Sequence, residues 1–239
     1  MIFFANSDPG LRRPVNEDTC VSHKLADGRF FCAVFDGMGG TRGGEVASRL
    51  AADSFLFVMR NARPREKSGA LLLRALERAD IAVREKADES PTLHGMGTTV
   101  TAVLLDGQTA DILNVGDSRA YLFSAGKLRR LTRDDSYVEM LVECGMLTPA
   151  GARTHPRRHV ITRAIGALDN QSIFPGNFLL CPKDRLLLCT DGLHGLVEAG
   201  RISRILAQNL PPAETVGYLI AAANENGGRD NITAAILEL

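Results

Sequence analysis

Runs of apolar residues alternate with short polar turns along most of the chain, and this pattern predicts many strands. The predicted strands are bounded by Gly, Pro, Asn or Asp, the residues that favour turns. Because the turns between several of them are tight, there is no room for crossover connections, and mainly antiparallel pairing is expected. The predicted strands are 2–7, 20–24, 29–35, 98–105, 109–115, 118–123, 127–131, 178–181, 185–189 and 232–239. Asp27-Gly28, between the second and third strands, predicts a hairpin turn.

Apolar residues recur at helical spacing in longer segments between the strand blocks. The predicted long helices are 45–62, 68–88, 202–210 and 213–224. Two shorter helices begin at Ser136 and Thr148, whose side chains suit the first position of a helix. Strands and helices in this order predict an α+β fold with mostly antiparallel pairing.

The composition is that of a globular protein without a strong charge. Of the 239 residues 45% are hydrophobic, and 28 basic residues balance 28 acidic ones. The neutral balance and the absence of Trp argue against nucleic acid or an anionic membrane as a partner. No apolar run approaches the ~18 residues of a membrane span. The five cysteines lack CxxC spacing, which predicts reduced and mostly buried thiols in the cytoplasm.

One predicted strand ends in a carboxylate that is followed by glycines. The apolar run 30–35 stops at Asp36, and Gly37, Gly39 and Gly40 come directly after it. A buried charge must be paired or must hold a metal ion, and glycine lets the backbone approach a ligand closely. The pattern fits phosphate binding, metal binding or a tight connection, and by itself it does not choose among them.

The same design recurs where the apolar run 185–189 is followed by Asp191 and Gly192. If several carboxylates converged without cations, their repulsion would force some of them to protonate. Hard divalent cations such as Mg²⁺ and Mn²⁺ accept such oxygen ligands, whereas zinc prefers His or Cys. Two ions about 3.5–4 Å apart can share one carboxylate and activate a water, which suits phosphoester hydrolysis. The full acidic set is Asp18, Asp36, Asp117, Asp191 and Asp230.

Simpler explanations remain open for the polar segments. The charged loop 12–18 is typical of a solvated turn, and the alternative is an arginine that binds an anion beside acidic residues. Asp117 follows a glycine between two strands, where aspartate is commonly a turn residue. His155 and His159 are four residues apart in a basic loop, but a proline between them argues against a helix, so a zinc site is discounted. That loop is either solvated or faces the substrate.

Six short motifs occur in a fixed order along the chain. They are RxxNED at 13–18, VFDGMGG at 34–40, GMGTT at 95–99, GDSR at 116–119, CTDGL at 189–193 and RDNIT at 229–233. Each motif alone is weak. In this order they resemble the PPM family, the metal-dependent serine/threonine protein phosphatases of the type 2C group, and in particular its stand-alone bacterial branch.

The resemblance implies a four-layer α-β-β-α sandwich, in which two mainly antiparallel sheets are flanked by helix pairs. Residues 1–239 would form a single catalytic domain, with a flap segment at about 131–165 beside the cleft. The expected activity is hydrolysis of phosphoserine and phosphothreonine by a metal-bridged hydroxide, which attacks phosphorus in line without a phosphoenzyme.

The resemblance also implies a set of metal ligands. Asp36 would bridge two Mn²⁺ or Mg²⁺ ions, and the Gly37 carbonyl would bind one of them. Asp191 and Asp230 would bind the other ion. Asp117, together with Asp191, would hold a third and weaker ion.

Further roles follow from the same resemblance. Glu17 and Asp18 would hold metal-bound waters, and Asn231 would belong to the same outer layer. Arg13 would clamp the substrate phosphate, since a planar guanidinium suits a bidentate contact with phosphate oxygens. The partners implied are phosphorylated proteins and a cognate bacterial Ser/Thr kinase, with a monomeric enzyme in the cytoplasm.

Two other functions compete with this interpretation. A non-catalytic, phosphoprotein-binding pseudophosphatase on the same fold is disfavoured because an aspartate stands at every metal position. A small-molecule phosphoesterase on another metal fold is disfavoured by the six ordered motifs.

The chain departs from the family pattern at two places. Met38 stands where animal members carry a histidine that is proposed as general acid, so the leaving alcohol must take its proton from a metal-bound water or another group. Asp134 and Asp135 precede Ser136 where bacterial relatives usually read Asp-His-Ser. The additional carboxylate predicts a more negative flap, with a consequence for substrate preference.

Overall fold

The computed structural model of the protein describes residues 1–39, 43–63, 66–168 and 173–239, so Gly40 of the predicted glycine turn lies outside the described residues. The strands in these ranges are β1 (Ile2–Asp8), β2 (Asp18–Lys24), β3 (Phe30–Met38), β4 (Gly97–Thr98), β5 (Val100–Asp106), β6 (Thr109–Val115), β7 (Arg119–Ser124), β8 (Lys127–Arg130), β9 (Gly176–Leu179), β10 (Arg185–Cys189) and β11 (Ile232–Glu238). The helices are α1 (Gly43–Arg60), α2 (Ser68–Asp88), α3 (Tyr137–Glu143), α4 (Pro149–Thr154), α5 (Asp191–His194), α6 (Ala199–Leu206) and α7 (Pro212–Glu225).

The strands form two antiparallel sheets. The first sheet has the order β1-β11-β10-β7-β8, and the second has the order β2-β3-β5-β6-β9, with the short β4 added to β3. The hairpin predicted at Asp27-Gly28 joins β2 to β3, and its register places Asp18 directly opposite Asp36. The predicted antiparallel pairing is confirmed, and this hairpin brings the first two acidic residues together.

Four layers result because the two faces of each sheet pack against different partners. Phe31, Ala33 and Phe35 of β3 lie in a core with α1 and α2, while Cys32 and Val34 face the other sheet. This alternation is the period-two pattern of a strand buried on both faces. On the other side of the molecule, α6 and α7 cover the first sheet. The predicted four-layer sandwich is confirmed.

Two predicted helix starts in the flap segment have the expected hydrogen bonds. The Ser136 hydroxyl accepts from the backbone N–H of Glu139, and the Thr148 hydroxyl accepts from that of Gly151. These bonds satisfy donors that the first turn of a helix leaves free. None of the helices in the described ranges is long and apolar enough to cross a membrane.

Of the two neighbouring strands predicted at 178–181 and 185–189, the first lies at a sheet edge and is not buried. β9 lies at the edge of the second sheet beside β6, whereas β10 lies inside the first sheet between β11 and β7. The turn at 182–184 therefore carries the chain from one sheet to the other. Leu179 on the edge strand is 72% exposed, because no further strand or helix of the described residues covers it.

The burial of the cysteines also depends on whether they lie in central strands. All five lie in the described part of the chain and are free thiols. Cys32 and Cys189 are buried in central strands, as predicted, but Cys144 and Cys181 are exposed. The expectation of mostly buried thiols is therefore correct only for the central strands.

Candidate metal centre

The predicted acidic residues lie together at one end of the two sheets. Asp18 and Asp36 face each other across β2 and β3, and Asp191 follows β10 in the other sheet. Burial raises the pKa of the Asp36 carboxyl well above its ordinary value, and neighbouring carboxylates raise it further. Desolvation and like charges both disfavour the ionised form. The carboxylates that act on Asp36 are Asp18, Asp191, Asp117 and Asp230.

One carboxylate oxygen of Asp18 is hydrogen-bonded, and the other has no partner among the described residues. Its Oδ2 accepts hydrogen bonds from Thr190 Oγ1 at 2.8 Å and Thr233 Oγ1 at 2.6 Å. Its Oδ1 is buried and has no hydrogen-bond partner among the described residues. Burial raises the pKa of Asp18 to about 7, although the two threonine hydroxyls oppose this shift. A buried carboxylate oxygen without a partner is costly, and it suits a cation or a cation-bound water.

Asn231 fixes the loop that carries the other polar residues. Its Oδ1 accepts from the backbone N–H of Glu17 at 2.8 Å. Its Nδ2 donates to the carbonyls of Pro9 and Val15 at 3.0 and 2.9 Å. Each polar atom of this side chain therefore binds backbone between β1 and β2, and this holds Glu17 beside the acidic residues.

Gly37 lies where the end of β3 touches the start of α1. A Cβ atom at this position would be 2.0 Å from the carbonyl oxygen of Gly44 and 2.6 Å from that of Glu17. Only glycine fits such a close backbone approach. The glycine predicted from the motif is thus required by packing, and its carbonyl as a metal ligand stays a prediction.

The backbone of Asp36 is held by hydroxyl groups whose role the sequence did not indicate. The Thr98 hydroxyl donates to the Asp36 carbonyl at 2.9 Å. The Asp36 N–H donates to Thr99 Oγ1 at 3.1 Å, and that hydroxyl is 2.8 Å from Ser118 Oγ. These residues belong to two of the six motifs, but only the fold shows that both converge on Asp36.

We expect Thr99→Val to lower the free energy of unfolding by about 1–3 kcal/mol, because an isosteric methyl leaves the Asp36 N–H without its acceptor. Urea denaturation of the metal-free protein measures this change. Thr99→Ser keeps the hydroxyl and serves as the control, with a smaller loss. Equal stability of Thr99→Val and the wild type would contradict the role of this hydroxyl.

Two basic residues, Arg13 and His159, contact carboxylates of the centre. Arg13 forms a bidentate contact with Asp230, with Nε 3.0 Å from Oδ1 and Nη2 3.0 Å from Oδ2. His159 of the flap segment places Nδ1 3.5 Å from Asp191 Oδ2. Burial acts to raise the pKa of Asp191, but the hydrogen bond with His159 and the neighbouring basic side chains of His194 and Arg13 hold it below its ordinary value. Sequence reasoning considered His159 only for zinc and missed this contact.

Among the described residues, no three His, Cys, Asp or Glu side chains are arranged as a ready ligand set for a metal ion. The carboxylates lie close enough to repel one another, and Asp230 and Asp191 each contact a basic side chain, Arg13 and His159 respectively. Arg13 is 47% and His159 61% exposed, so both can move away into solvent. Neutralisation by a divalent cation would remove the repulsion that keeps the carboxylates apart.

The two flap carboxylates are paired internally. Asp134 is 5% exposed and binds Arg119, with Nη2 2.5 Å from Oδ2. Asp135 Oδ2 accepts from the Gly116 N–H at 3.1 Å, and its Oδ1 lies 3.7 Å from Arg163 Nη1. Neither carboxylate is therefore free at the flap surface, and the more negative flap with its consequence for substrate preference stays a prediction. Asp135 instead ties the flap to the segment that carries Asp117.

The Protein phosphatase 2C family model matches residues 12–226 of this chain. The chain belongs to the protein phosphatase 2C family. This confirms the resemblance that was based on six ordered motifs. Asp18, Asp36, Asp117 and Asp191 all lie within the matched range, and Asp230 lies four residues beyond its end.

Several proteins resemble this protein phosphatase 2C chain in both sequence and fold. The serine/threonine protein phosphatase PstP of Mycobacterium tuberculosis is 36% identical over 242 residues, a match that covers 99% of this chain and 45% of that protein. The chain thus spans about half the length of this relative. A serine/threonine phosphatase structure from S. agalactiae is 31% identical, with a TM-score of 0.94 and coverage of 100% of this chain and 99% of that one.

The catalytic domain of PstP has been solved in complex with two manganese ions. It is 34% identical to this chain, with a TM-score of 0.86 and coverage of 98% of this chain and 96% of that one. The protein phosphatase 2C fold therefore accommodates two Mn²⁺ ions in a close structural neighbour.

Proposed function

We propose that this chain is a metal-dependent protein phosphatase that hydrolyses phosphoserine and phosphothreonine. Water and the phosphomonoester react to give the free side-chain hydroxyl and inorganic phosphate, so that one P–O bond forms and one breaks. The observation that carries the proposal is the set of carboxylates around Asp36, beside the buried and unpaired Oδ1 of Asp18. An all-oxygen set of this kind suits hard divalent cations.

The residues fit two Mn²⁺ or Mg²⁺ ions. Asp36 would be the ligand shared by both, the Gly37 carbonyl would bind one ion, and Asp191 and Asp230 would bind the other. Asp117, with Asp191, would hold a third and weaker ion. When bound, the ions neutralise the carboxylates, polarise the phosphate and activate water. The manganese complex of the PstP catalytic domain supports the number and kind of ions in this proposal.

The side chains of this protein hold the residues of the centre in place and supply a positive charge for the phosphate. Thr98 and Thr99 fix the backbone of Asp36, while Asn231 fixes the loop that carries Glu17. Glu17 and Asp18 would orient waters at the edge of the centre. Arg13 already lies beside Asp230, and cation binding there would release its guanidinium for the phosphate oxygens of the substrate.

We expect Arg13→Ala to raise KM about 10- to 100-fold, the scale of a hydrogen-bonded contact between charged groups, and to change kcat much less. Steady-state kinetics on a phosphothreonine peptide measures both constants. Arg12→Ala is the matched control, because Arg12 is an exposed neighbour of Arg13 without an ion pair among the described residues. An unchanged KM in Arg13→Ala would rule out phosphate binding by this side chain.

The function is tested by release of phosphate from a phosphothreonine peptide with and without Mn²⁺. We expect turnover that requires the metal, that EDTA stops, and that Asp191→Ala reduces strongly. Peptide binding without any turnover would instead favour a pseudophosphatase. Turnover of nucleotide or sugar phosphates in preference to phosphopeptides would favour a small-molecule phosphoesterase.

We further propose a cytoplasmic monomer that opposes a Ser/Thr kinase. The free cysteines fit a reducing compartment. Every residue assigned to the centre comes from one chain, so no second subunit is needed to complete it. Light scattering tests the monomer, and accumulation of phosphoproteins after deletion of the gene tests the opposition to a kinase.

A further inference from the structure

A basic turn of the flap segment lies at the edge of the candidate metal centre. This turn, residues 155–160, follows α4 and includes His159, whose ring contacts Asp191. The Val160 carbonyl accepts from the Tyr137 N–H at 2.8 Å, which fixes the turn against α3. A substrate phosphate at the carboxylates would therefore place its flanking residues beside this turn.

Two arginines in this turn have no acidic partner among the residues that the structure describes. Arg157 and Arg158 are exposed, and neither forms an ion pair within the described part of the chain. Other arginines of the same region are paired: Arg119 with Asp134, and Arg130 with Glu139. The two positive charges in the turn are therefore available to a ligand.

Arg157 is also partly held in place. Its guanidinium carbon lies 5.5 Å from the centroid of the Tyr137 ring, on which His155 also packs. A guanidinium over an aromatic face gains a cation–π interaction and still presents its N–H groups at the edge. Such an arrangement lowers the conformational cost of binding a carboxylate.

We propose that Arg157 and Arg158 select phosphoproteins that carry Asp or Glu close to the phosphorylated residue. This rests on the phosphatase function proposed above. The guanidinium groups match the planar carboxylate geometry.

The test compares three phosphothreonine peptides on the full chain with Mn²⁺. They are identical except for flanking Glu, Gln or Lys. We expect the wild type to prefer the Glu peptide over the Gln peptide by about three- to tenfold in kcat/KM, the scale of two exposed ion pairs. We expect the Lys peptide to be the poorest substrate. Rising NaCl should shrink the preference, since exposed charges are screened.

Variants then test whether these two arginines cause the preference for the Glu peptide. The double variant Arg157→Gln/Arg158→Gln should bring the ratio between Glu and Gln peptides to about one, and the double Lys variant should keep most of it. Arg60→Gln is the control, because Arg60 ends α1 about 25 Å from the start of that helix at the centre. The control should keep the wild-type ratio.

Two kinds of failure are distinguishable. Equal kcat/KM for the three peptides, a preference for the Lys peptide, or an unchanged ratio in the double Gln variant would overturn this inference and leave the phosphatase function intact. Absence of Mn²⁺-dependent hydrolysis of p-nitrophenyl phosphate and of every peptide would overturn the proposed function, and the inference with it.

Discussion

Asp36→Asn is expected to lower Mn²⁺-dependent kcat/KM by at least about 1,000-fold. The variant removes the carboxylate assigned to both ions, and metal ions contribute several kcal/mol of transition-state stabilisation, where each 1.4 kcal/mol is a factor of ten. Phosphate release from a phosphothreonine peptide at saturating Mn²⁺ measures the loss. Asp53→Asn on the exposed face of α1 is the control and should retain wild-type activity.

The same variant should separate metal binding from folding. Without metal, Asn removes one of several repelling charges that burial already disfavours, so the Tm in EDTA should rise above that of the wild type. Addition of Mn²⁺ should raise the Tm of the wild type by ligand linkage and leave the variant nearly unchanged. Wild-type activity or a wild-type Mn²⁺ shift in Asp36→Asn would contradict the bridging role.

Gly192→Ala should be strongly destabilising. A Cβ atom at this position would lie 1.9 Å from the carbonyl oxygen of Asn231, so the start of α5 and the start of β11 must move apart. We expect a loss of at least about 2–3 kcal/mol in unfolding free energy, which corresponds to a fall in Tm of about 5–10 °C for a chain of this size. Differential scanning calorimetry measures it, and weaker Mn²⁺ binding should accompany it.

Gly217→Ala is the matched control for this substitution. Gly217 lies within α7, and a Cβ atom there would meet no other atom within 4 Å. Alanine in an open helical position is expected to stabilise by about 0.5–1 kcal/mol. If Gly192→Ala were as stable as Gly217→Ala, the close approach of α5 to β11 would not be a constraint on the site.

Much of the fold could be predicted because local signals agree with tertiary packing. The Asp27-Gly28 turn defined a hairpin, and that hairpin set Asp18 opposite Asp36. The helix α2 was predicted with its observed ends, because its apolar stripe and its burial have the same period. The acidic residues could be found since Asp36 and Asp191 stand where an apolar run stops, and the other three lie within two residues of a predicted strand.

The rest depended on contacts between distant segments. An apolar run does not show whether its strand is central or at an edge, so the exposure of β9 was missed. The hydrogen bonds of the Thr98 and Thr99 hydroxyls with the backbone of Asp36 join residues more than 60 positions apart in sequence. The pairing of Asp135 with Gly116 likewise depends on how the flap folds back, and the sequence alone shows only an additional charge.

The central claim is that Asp36 joins two divalent cations at the strand ends. Low-temperature electron paramagnetic resonance of the Mn²⁺-loaded protein tests it most directly, since two ions about 3.5–4 Å apart that share a carboxylate are magnetically coupled. We predict the spectrum of a coupled manganese pair in the wild type and its loss in Asp36→Asn. A spectrum of isolated Mn²⁺ only, or a coupled pair that persists in Asp36→Asn, would contradict the claim.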